Sequence, residues 1–338
     1  RNFLPSTGRL VHYLPPAEGK NVRVDTGVYE GGEISVFYDP MIAKLITYGK
    51  TRDEATAEMR AALDAYYIRG VSHNIPFLAS LMGKKKFIDG KLSTNFIAEE
   101  YPDGFSAADL PAKDPTVLMG VAALVHQAYQ ARAAGVSGQL PGRARALPDT
   151  WVVVEGDGET KTQHRVSVAR HPVGGAGDLG PASGTVTVGN KTLHIASSWT
   201  FGQPLYKAEV VGSVSKGKVK AGHIVVQVDR RGIGYRLFHA GAQVDVVVLT
   251  VHEAELAKHM LYKPPPDLSQ FLLSPMPGLL VSLAVKEGQD VKAGEALAIV
   301  EAMKMENVLK AERDGTVKTI HQQPGASLAV DQVILEFA

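Results

Sequence analysis

Hydrophobic and polar positions follow three different rhythms along this chain. In the first hundred or so residues, short apolar runs (Val11 to Tyr13, Val22 to Val24, Ile34 to Tyr38) are separated by Pro, Gly and Asn, which predicts strands joined by turns. Thr51 and Glu54 then form a capping-box pair ahead of Met59, Ala62, Leu63 and Tyr66 at helical spacing, with Gly70 as the expected stop. A longer helix is expected from Asp114-Pro115, a cap residue followed by a proline in the first turn. Val117, Leu118, Val121, Leu124, Val125 and Ala128 make one apolar stripe along it. His126, Gln127, Gln130 and Arg132 make it amphipathic, and Gly135 stops it.

Beyond a Pro/Gly-rich loop the period falls to two. Eight strands are expected, at 151–155, 163–169, 184–188, 192–196, 205–211, 224–228, 234–238 and 244–249. Gly156-Asp157-Gly158, Gly189-Asn190 and Arg231-Gly232 supply hairpin turns. Many short strands with regular turns suggest an antiparallel barrel. The helix then buries its stripe by filling or capping that barrel.

The C-terminal part repeats itself. An offset of 37 residues pairs Gly278 with Gly315, Gly288 with Gly325, Leu280 with Val317, Leu283 with Ile320, Val291 with Leu328, Leu297 with Ile334 and Val300 with Phe337. Two copies of a strand–turn–strand unit forming a small flattened barrel are expected, meeting at Lys304.

Composition narrows the function more than the fold. The 338 residues suggest two or three domains. A net charge of +1 gives no basic excess for nucleic acid. With no cysteine, disulfides, thiolate metal sites and cysteine nucleophiles are excluded within the chain. No apolar stretch is long enough to span a bilayer, so no membrane partner is expected. Arg1-Asn2-Phe3-Leu4 does not look like a signal peptide, and the chain is expected to begin within a longer protein. The eleven histidines are scattered without metal-ligand spacing, so no metal site is expected. His126, His164 and Trp199 read as ordinary structural residues. Gly49-Lys50-Thr51 lacks the upstream glycine of a phosphate loop, since Lys44 stands there, and reads as a helix cap.

The stretch with chemistry is Glu301-Ala302-Met303-Lys304-Met305-Glu306-Asn307, one lysine between two methionines with strand-like runs on both sides. Apolar residues exposed at a hairpin tip bury nothing and usually exist to be touched. A tight turn of non-glycine residues is mildly strained. A lysine alone at a tip cannot be a buried base, but it is well placed to be modified by another enzyme.

Ala302-Met303-Lys304-Met305, preceded by Ser274-Pro275-Met276-Pro277-Gly278, resembles the biotinyl domain of biotin-dependent carboxylases. The lipoyl domain shares that architecture, but the two methionines favour biotin. Phe3 to Gly8, Tyr38 to Leu45 and Gly70 to Asn74 resemble the C-terminal subdomain of biotin carboxylase. Tyr101 to Phe105, the strand around Trp199 and Glu253 to Leu261 resemble the subunit-joining segment of acyl-CoA carboxylases. The resemblance implies a multidomain α+β chain. Residues 1–105 would be the biotin carboxylase subdomain, 106–263 a long helix with an antiparallel barrel, 264–271 a Pro-rich semi-rigid linker, and 272–338 a flattened all-β biotinyl domain.

The same resemblance implies biotin on Lys304, attached by a biotin protein ligase that reads Ala302, Met303 and Met305. It implies ATP and Mg2+ held by a lobe upstream of Arg1, with Arg23 and Asp39 near that site or a subunit interface. Bicarbonate and an acyl-CoA are the implied substrates. The implied hetero-oligomer is formed with a carboxyltransferase β subunit bound through residues 106–263. Propionyl-CoA is favoured, by Glu301 and the helix-plus-barrel segment, over 3-methylcrotonyl-CoA, acetyl-CoA or a longer acyl-CoA. A carrier in a decarboxylase complex and a plain assembly scaffold are the other classes weighed. The implied compartment is bacterial cytoplasm, or the mitochondrial matrix in a eukaryote.

Overall fold

The computed structural model describes residues 6–35, 39–102, 104–107, 110–138, 146–156, 161–170, 180–214, 217–261, 268, 270–302 and 305–338. Its first unit contains β1 (Gly8–Arg9), β2 (His12–Leu14), β3 (Val22–Thr26), β4 (Glu33–Ile34), β5 (Ala43–Thr47), α1 (Arg52–Ala65), β6 (Tyr67–Arg69), α2 (Ile75–Gly83), α3 (Lys85–Ile88) and α4 (Phe96–Glu100). The strands form three antiparallel pairs, β1–β4, β2–β6 and β3–β5, around Leu10, Tyr13, Ile34, Tyr66, Ile68 and Val71.

Thr51 caps α1 as expected, accepting the Glu54 amide at 3.2 Å, but Glu54 reaches back one residue further than a capping box, to the Lys50 amide at 2.8 Å. Gly49 is where the chain passes against α1, since a Cβ there would lie 2.7 Å from the Glu54 Cβ. Gly70 does not stop this helix. The helix ends at Tyr66, and Tyr67–Arg69 continue as a strand paired antiparallel with β2, where aromatic Tyr67 and β-branched Ile68 suit an extended backbone. Gly70 instead ends that strand at φ +105, pressed against the Arg9 carbonyl and the Val11 amide. Of the run expected at Ile34 to Tyr38, only Ile34 is in a strand, and 36–38 lie outside the described residues.

The second unit is α5 (Pro115–Ala134), then β7 (Thr150–Glu155), β8 (Thr162–Arg170), β9 (Gly184–Val188), β10 (Lys191–Ser197), β11 (Leu205–Val214), β12 (Gly217–Arg231), β13 (Gly234–His239) and β14 (Ala242–Thr250), then α6 (Val251–Ala257). The eight strands close into an antiparallel barrel in which each pairs with its sequence neighbours and β14 returns to β7. The turn expected at Gly156-Asp157-Gly158 extends beyond the described residues, while Gly189 and Gly232 sit at positive φ in their turns.

Helix α5 fills the barrel. Leu118, Met119, Gly120, Val121, Ala122, Ala123, Leu124 and Val125 are all buried, among inward residues such as Trp151, Val166, Val186, Ile195, Tyr206, Val226, Leu237 and Val248. One apolar stripe was expected, but this part of the helix is buried on every side. The sheet surrounds it, so small residues off the stripe are as enclosed as the large ones on it. Even Gln127 is buried, its amide donating to the Pro148 carbonyl at 3.3 Å. Gly120 is required by proximity, because a Cβ would meet Val186 Cγ2 at 2.8 Å. Trp199 is packed, with edge-on contacts to Tyr129 and Phe201 and its Nε1 donating to the Gln203 carbonyl at 2.8 Å. His126 packs edge-on to Trp151, and His164 bonds Glu155 across the sheet at 3.1 Å.

The third unit is β15 (Phe271–Leu273), β16 (Gly278–Leu283), β17 (Asp290–Val291), β18 (Ala296–Ala302), β19 (Met305–Lys310), β20 (Gly315–Ile320), β21 (Ser327–Leu328) and β22 (Val333–Phe337). Two four-stranded sheets, ordered β15-β22-β20-β17 and β19-β18-β16-β21, make a flattened barrel. The 37-residue repeat is its geometry. In each copy the first strand pairs with its own third strand and with the middle strand of the other copy. The matched residues Leu280 and Val317, Val291 and Leu328, and Leu297 and Ile334 are all buried, and Gly288 and Gly325 share positive φ values of 81 and 90. The linker at 264–271 falls largely outside the described residues. No helix among the described residues is long and apolar enough to cross a membrane.

The first unit meets the barrel through buried polar groups. Arg69 Nε donates to Asp229 Oδ2 at 2.7 Å, and Tyr67 OH donates to Asp229 Oδ1 at 3.0 Å. Gln227 Nε2 donates to the carbonyls of Asp64 and Tyr66, both at 3.0 Å, satisfying groups that the end of α1 leaves open. His73 lies at this seam with its Nδ1 buried and unpartnered among the described residues. Burial, reinforced by the positive charge of Arg69, pushes its pKa down to about 4. A group depressed on folding binds its proton preferentially in the unfolded chain, so the stability it contributes is lost as pH falls from about 6.5 towards about 4. The expected loss is at most about 3 kcal/mol. Urea titrations of the chain and of His73→Leu across that window check this: the variant should show the shallower acid slope.

Candidate functional site

The hairpin of β18 and β19 runs to the edge of the third unit in regular register, Val300 opposite Asn307, Glu301 opposite Glu306 and Ala302 opposite Met305. Met303 and Lys304, which join the two strands in sequence, lie outside the described residues, and so does the strained turn expected there. The flanks are defined. Along β18, Leu297, Ala298, Val300 and Ala302 are buried while Glu301 faces solvent. On β19 the Met305 side chain is 52% exposed, a large apolar group left in water beside the lysine. Glu301 and Glu306 are directly opposite and both exposed, an arrangement that costs the hairpin a few tenths of a kcal/mol rather than stabilising it.

Residues 274–278 form the shoulder beneath the tip. Ser274 is fully buried; its Oγ donates to the Met276 carbonyl at 2.7 Å, and its backbone bonds Gln332 and Asp331. Met276 is buried, and Asn307 Nδ2 donates to the Met305 carbonyl at 3.3 Å while reaching Met276 Sδ at 3.6 Å. That brace was not legible in the sequence, because it depends on the register of β18 and β19 bringing Asn307 over a segment 31 residues earlier. Gly278 is required by proximity: a Cβ there would lie 2.5 Å from the Glu301 carbonyl and 2.9 Å from Val300 Cγ1. The space behind Ala302 is thus filled by protein.

The other residues singled out by the sequence do not join this site. Arg23 makes an exposed ion pair with Asp25, Nε to Oδ1 at 3.1 Å. Asp39 accepts the Met41 amide at 2.9 Å, a local turn bond. Among the described residues no cluster of three or more His, Asp or Glu is arranged to hold a metal ion.

Three family models match in succession: the biotin carboxylase C-terminal domain over residues 1–99, the propionyl-coenzyme A carboxylase BT domain over 118–263, and a biotin-requiring enzyme model over 270–337. The chain belongs to the biotin-dependent acyl-CoA carboxylase family. It is 42% identical to the propionyl-CoA carboxylase alpha chain of Ruegeria pomeroyi, over 100% of this chain and 49% of the relative. It is 36% identical to the mitochondrial propionyl-CoA carboxylase alpha chain of Mus musculus, over 98% of this chain and 44% of that one. The alpha subunit of mitochondrial methylcrotonoyl-CoA carboxylase from Rattus norvegicus is more distant, 27% identical over 99% of this chain and 45% of its own. The chain spans about half the length of the relatives it matches.

Replacing Gly278 with alanine is expected to push β16 off β18 and to loosen the hairpin. The third unit should lose about 2 kcal/mol. Amide exchange in β18 and β19 of the full chain should quicken, while exchange in the barrel around α5 stays as it was.

Proposed function

We propose that this chain carries biotin on Lys304 and serves as the carrier-bearing part of a propionyl-CoA carboxylase. The observation that carries the reading is the β18–β19 hairpin. Its paired ends, Ala302 and Met305, bracket Met303-Lys304 in a segment matching the biotin-requiring enzyme model. The Lys304 amine supplies the nitrogen of an amide bond to the cofactor. Biotin, once attached, supplies a ureido nitrogen able to take up and release a carboxyl group. Ala302, Met303 and Met305 are the residues a biotin protein ligase reads, with exposed Met305 offering it an apolar contact.

In the whole protein the three units divide the labour. Residues 1–105 complete a biotin carboxylase domain whose ATP, Mg2+ and bicarbonate sites lie in the part of the relatives that this chain does not cover. Residues 106–263 bind a carboxyltransferase β subunit, giving a hetero-oligomer. Residues 264–271 act as a spacer that lets 272–338 travel between the two active sites, which makes each encounter intramolecular, with effective concentrations of order mM. The overall reaction is ATP-dependent carboxylation of propionyl-CoA by bicarbonate to methylmalonyl-CoA. The higher identity to propionyl-CoA than to methylcrotonoyl-CoA carboxylase chains favours that substrate. The compartment would be bacterial cytoplasm, or the mitochondrial matrix in a eukaryote.

Lys304→Arg keeps the positive charge and removes the acylable amine. It should leave the unfolding midpoint unchanged and abolish biotin labelling by a ligase, read as the mass of the peptide containing residue 304. A lipoyl mass on that peptide would replace the cofactor assignment, and biotin incorporation by the variant would overturn the site. For the acyl group, bicarbonate fixation by the full-length protein with its partner subunit should prefer propionyl-CoA across an acyl-CoA panel. A preference for 3-methylcrotonyl-CoA or a longer acyl-CoA would move the substrate and leave the carrier role standing.

A further inference from the structure

The seam between the first unit and the barrel contains a second cluster of titratable groups, which the carrier function does not use. It is centred on the tip of the β13–β14 hairpin, where His239 pairs with Ala242 and Ala240-Gly241 make the turn. Both turn residues sit at positive φ, 52 and 83. That conformation suits a tight hairpin and is free of cost for Gly241, but for Ala240 it costs about 1 kcal/mol. The turn is held by the other unit. The Ala240 amide donates to Asp64 Oδ1 of α1 at 2.7 Å. At Gly241 a Cβ would meet the Pro76 carbonyl at 2.8 Å and the Ala79 Cβ at 3.0 Å, so the tip is pressed against α2 with no room to spare.

His239 sits at the centre of this contact, buried between carboxylates from two directions. Its Nδ1 is 3.2 Å from Asp64 Oδ2 and 2.9 Å from the Val225 carbonyl. Its Nε2 faces Asp114 Oδ2, at the start of α5, at 3.8 Å. The other charged or titratable groups around it are His73, which shares with Asp64, Gln227 and His239 a cavity of about 20 Å3, and the Arg69–Asp229 pair further along the seam. One imidazole therefore joins α1 of the first unit, the entry to α5 and the barrel hairpin.

We propose that His239, clasped between Asp64 and Asp114, is a proton-dependent clamp that fixes the first unit against the barrel and loosens as pH rises. The inference goes beyond the carrier reading and is independent of the acyl group that the enzyme uses. Burial alone would lower the His239 pKa, but the hydrogen bond and charge of Asp64, the Val225 carbonyl and Asp114 outweigh it and raise the value above the ordinary histidine range. A group raised on folding contributes stability that is fully present below its unfolded pKa and is lost as pH passes the folded value. The imidazolium bridges two carboxylates. The neutral ring keeps at most its hydrogen bond at Nδ1 and gives up its charge pairing with Asp64 at 3.2 Å and Asp114 at 3.8 Å.

The chain has no cysteine, so Lys20→Cys and Lys191→Cys place one spin label on each unit of the full 338-residue chain. Below about pH 6 a single narrow distance between the labels is expected. As pH is raised, the open fraction should increase severalfold, with a midpoint matching the His239 ring titration followed by NMR. Asp64→Asn should lower the His239 midpoint and carry the opening with it. His239→Asn keeps a donor near Nδ1 and should leave the distances independent of pH over the same window. The proposal is overturned if the distance distribution stays fixed while His239 titrates, or if opening keeps its wild-type midpoint in both variants.

Discussion

The structure depends most on one enclosure, the burial of α5 inside a closed sheet. Eight strands enclose a space that inward side chains can just fill, so a helix enters only if it is slim. Gly120, Ala122, Ala123 and Ala128 keep it so, while Leu118, Met119, Val121, Leu124 and Val125 fill what remains. The fit is two-sided, since Gly184 on the wall leaves room where a Cβ would meet Leu124 Cδ2 at 3.1 Å. Each large apolar side chain so enclosed contributes roughly 1.5–3 kcal/mol of burial, an upper estimate because the unfolded chain is not fully extended. Closure also removes every sheet edge from the barrel, so the barrel neither invites a stray strand nor needs edge charges to repel one.

The third unit is built on the opposite economy. Its strands are short, its two sheets are sewn together by exchanging the middle strands of a repeat, and its cores are small. Such a body stays folded while presenting one hairpin to solvent, with Met305 exposed where a self-contained domain would hide it. Beneath that hairpin, Ser274, Met276 and Gly278 form a closely packed shoulder, with Ser274 Oγ bonded to the Met276 carbonyl and no room for a Cβ at Gly278.

Between the first unit and the barrel, the hydrogen bonds and ion pairs join residues far apart in sequence. Arg69 finds Asp229, Gln227 caps the end of α1, and Asp64 meets both His239 and the Ala240 amide. None of these residues stands out in the sequence, because a carboxylate in a helix and a histidine at a strand end are ordinary in isolation. The hairpin turn at Ala240-Gly241 carries a non-glycine residue in a left-handed conformation, which turn chemistry alone would not select. The tertiary contact with Asp64 holds it there. His73 is similarly ordinary until the seam closes over its ring and buries Nδ1.

The sequence by itself determined a good deal. Period-two runs located the eight barrel strands, a capping residue and proline located the start of α5, and the 37-residue repeat announced the two interleaved halves of the third unit. These signals are local or periodic: side-chain alternation, turn residues and caps act within a few positions of the backbone they direct. The biotin reading of Ala302-Met303-Lys304-Met305 rests on something else, its resemblance to the biotinyl domain of biotin-dependent carboxylases. Only the tertiary structure decided the rest. It enclosed α5 on all sides where its pattern showed one stripe, and turned Tyr67–Arg69 into a strand where Gly70 looked like a helix stop. It also set Asn307 over Met276, and gathered Asp64, Asp114 and His239 from three elements into one cluster. The physical reason is common to all four. Burial and charge pairing depend on which surfaces close over a residue, and that is settled by segments far away in the chain.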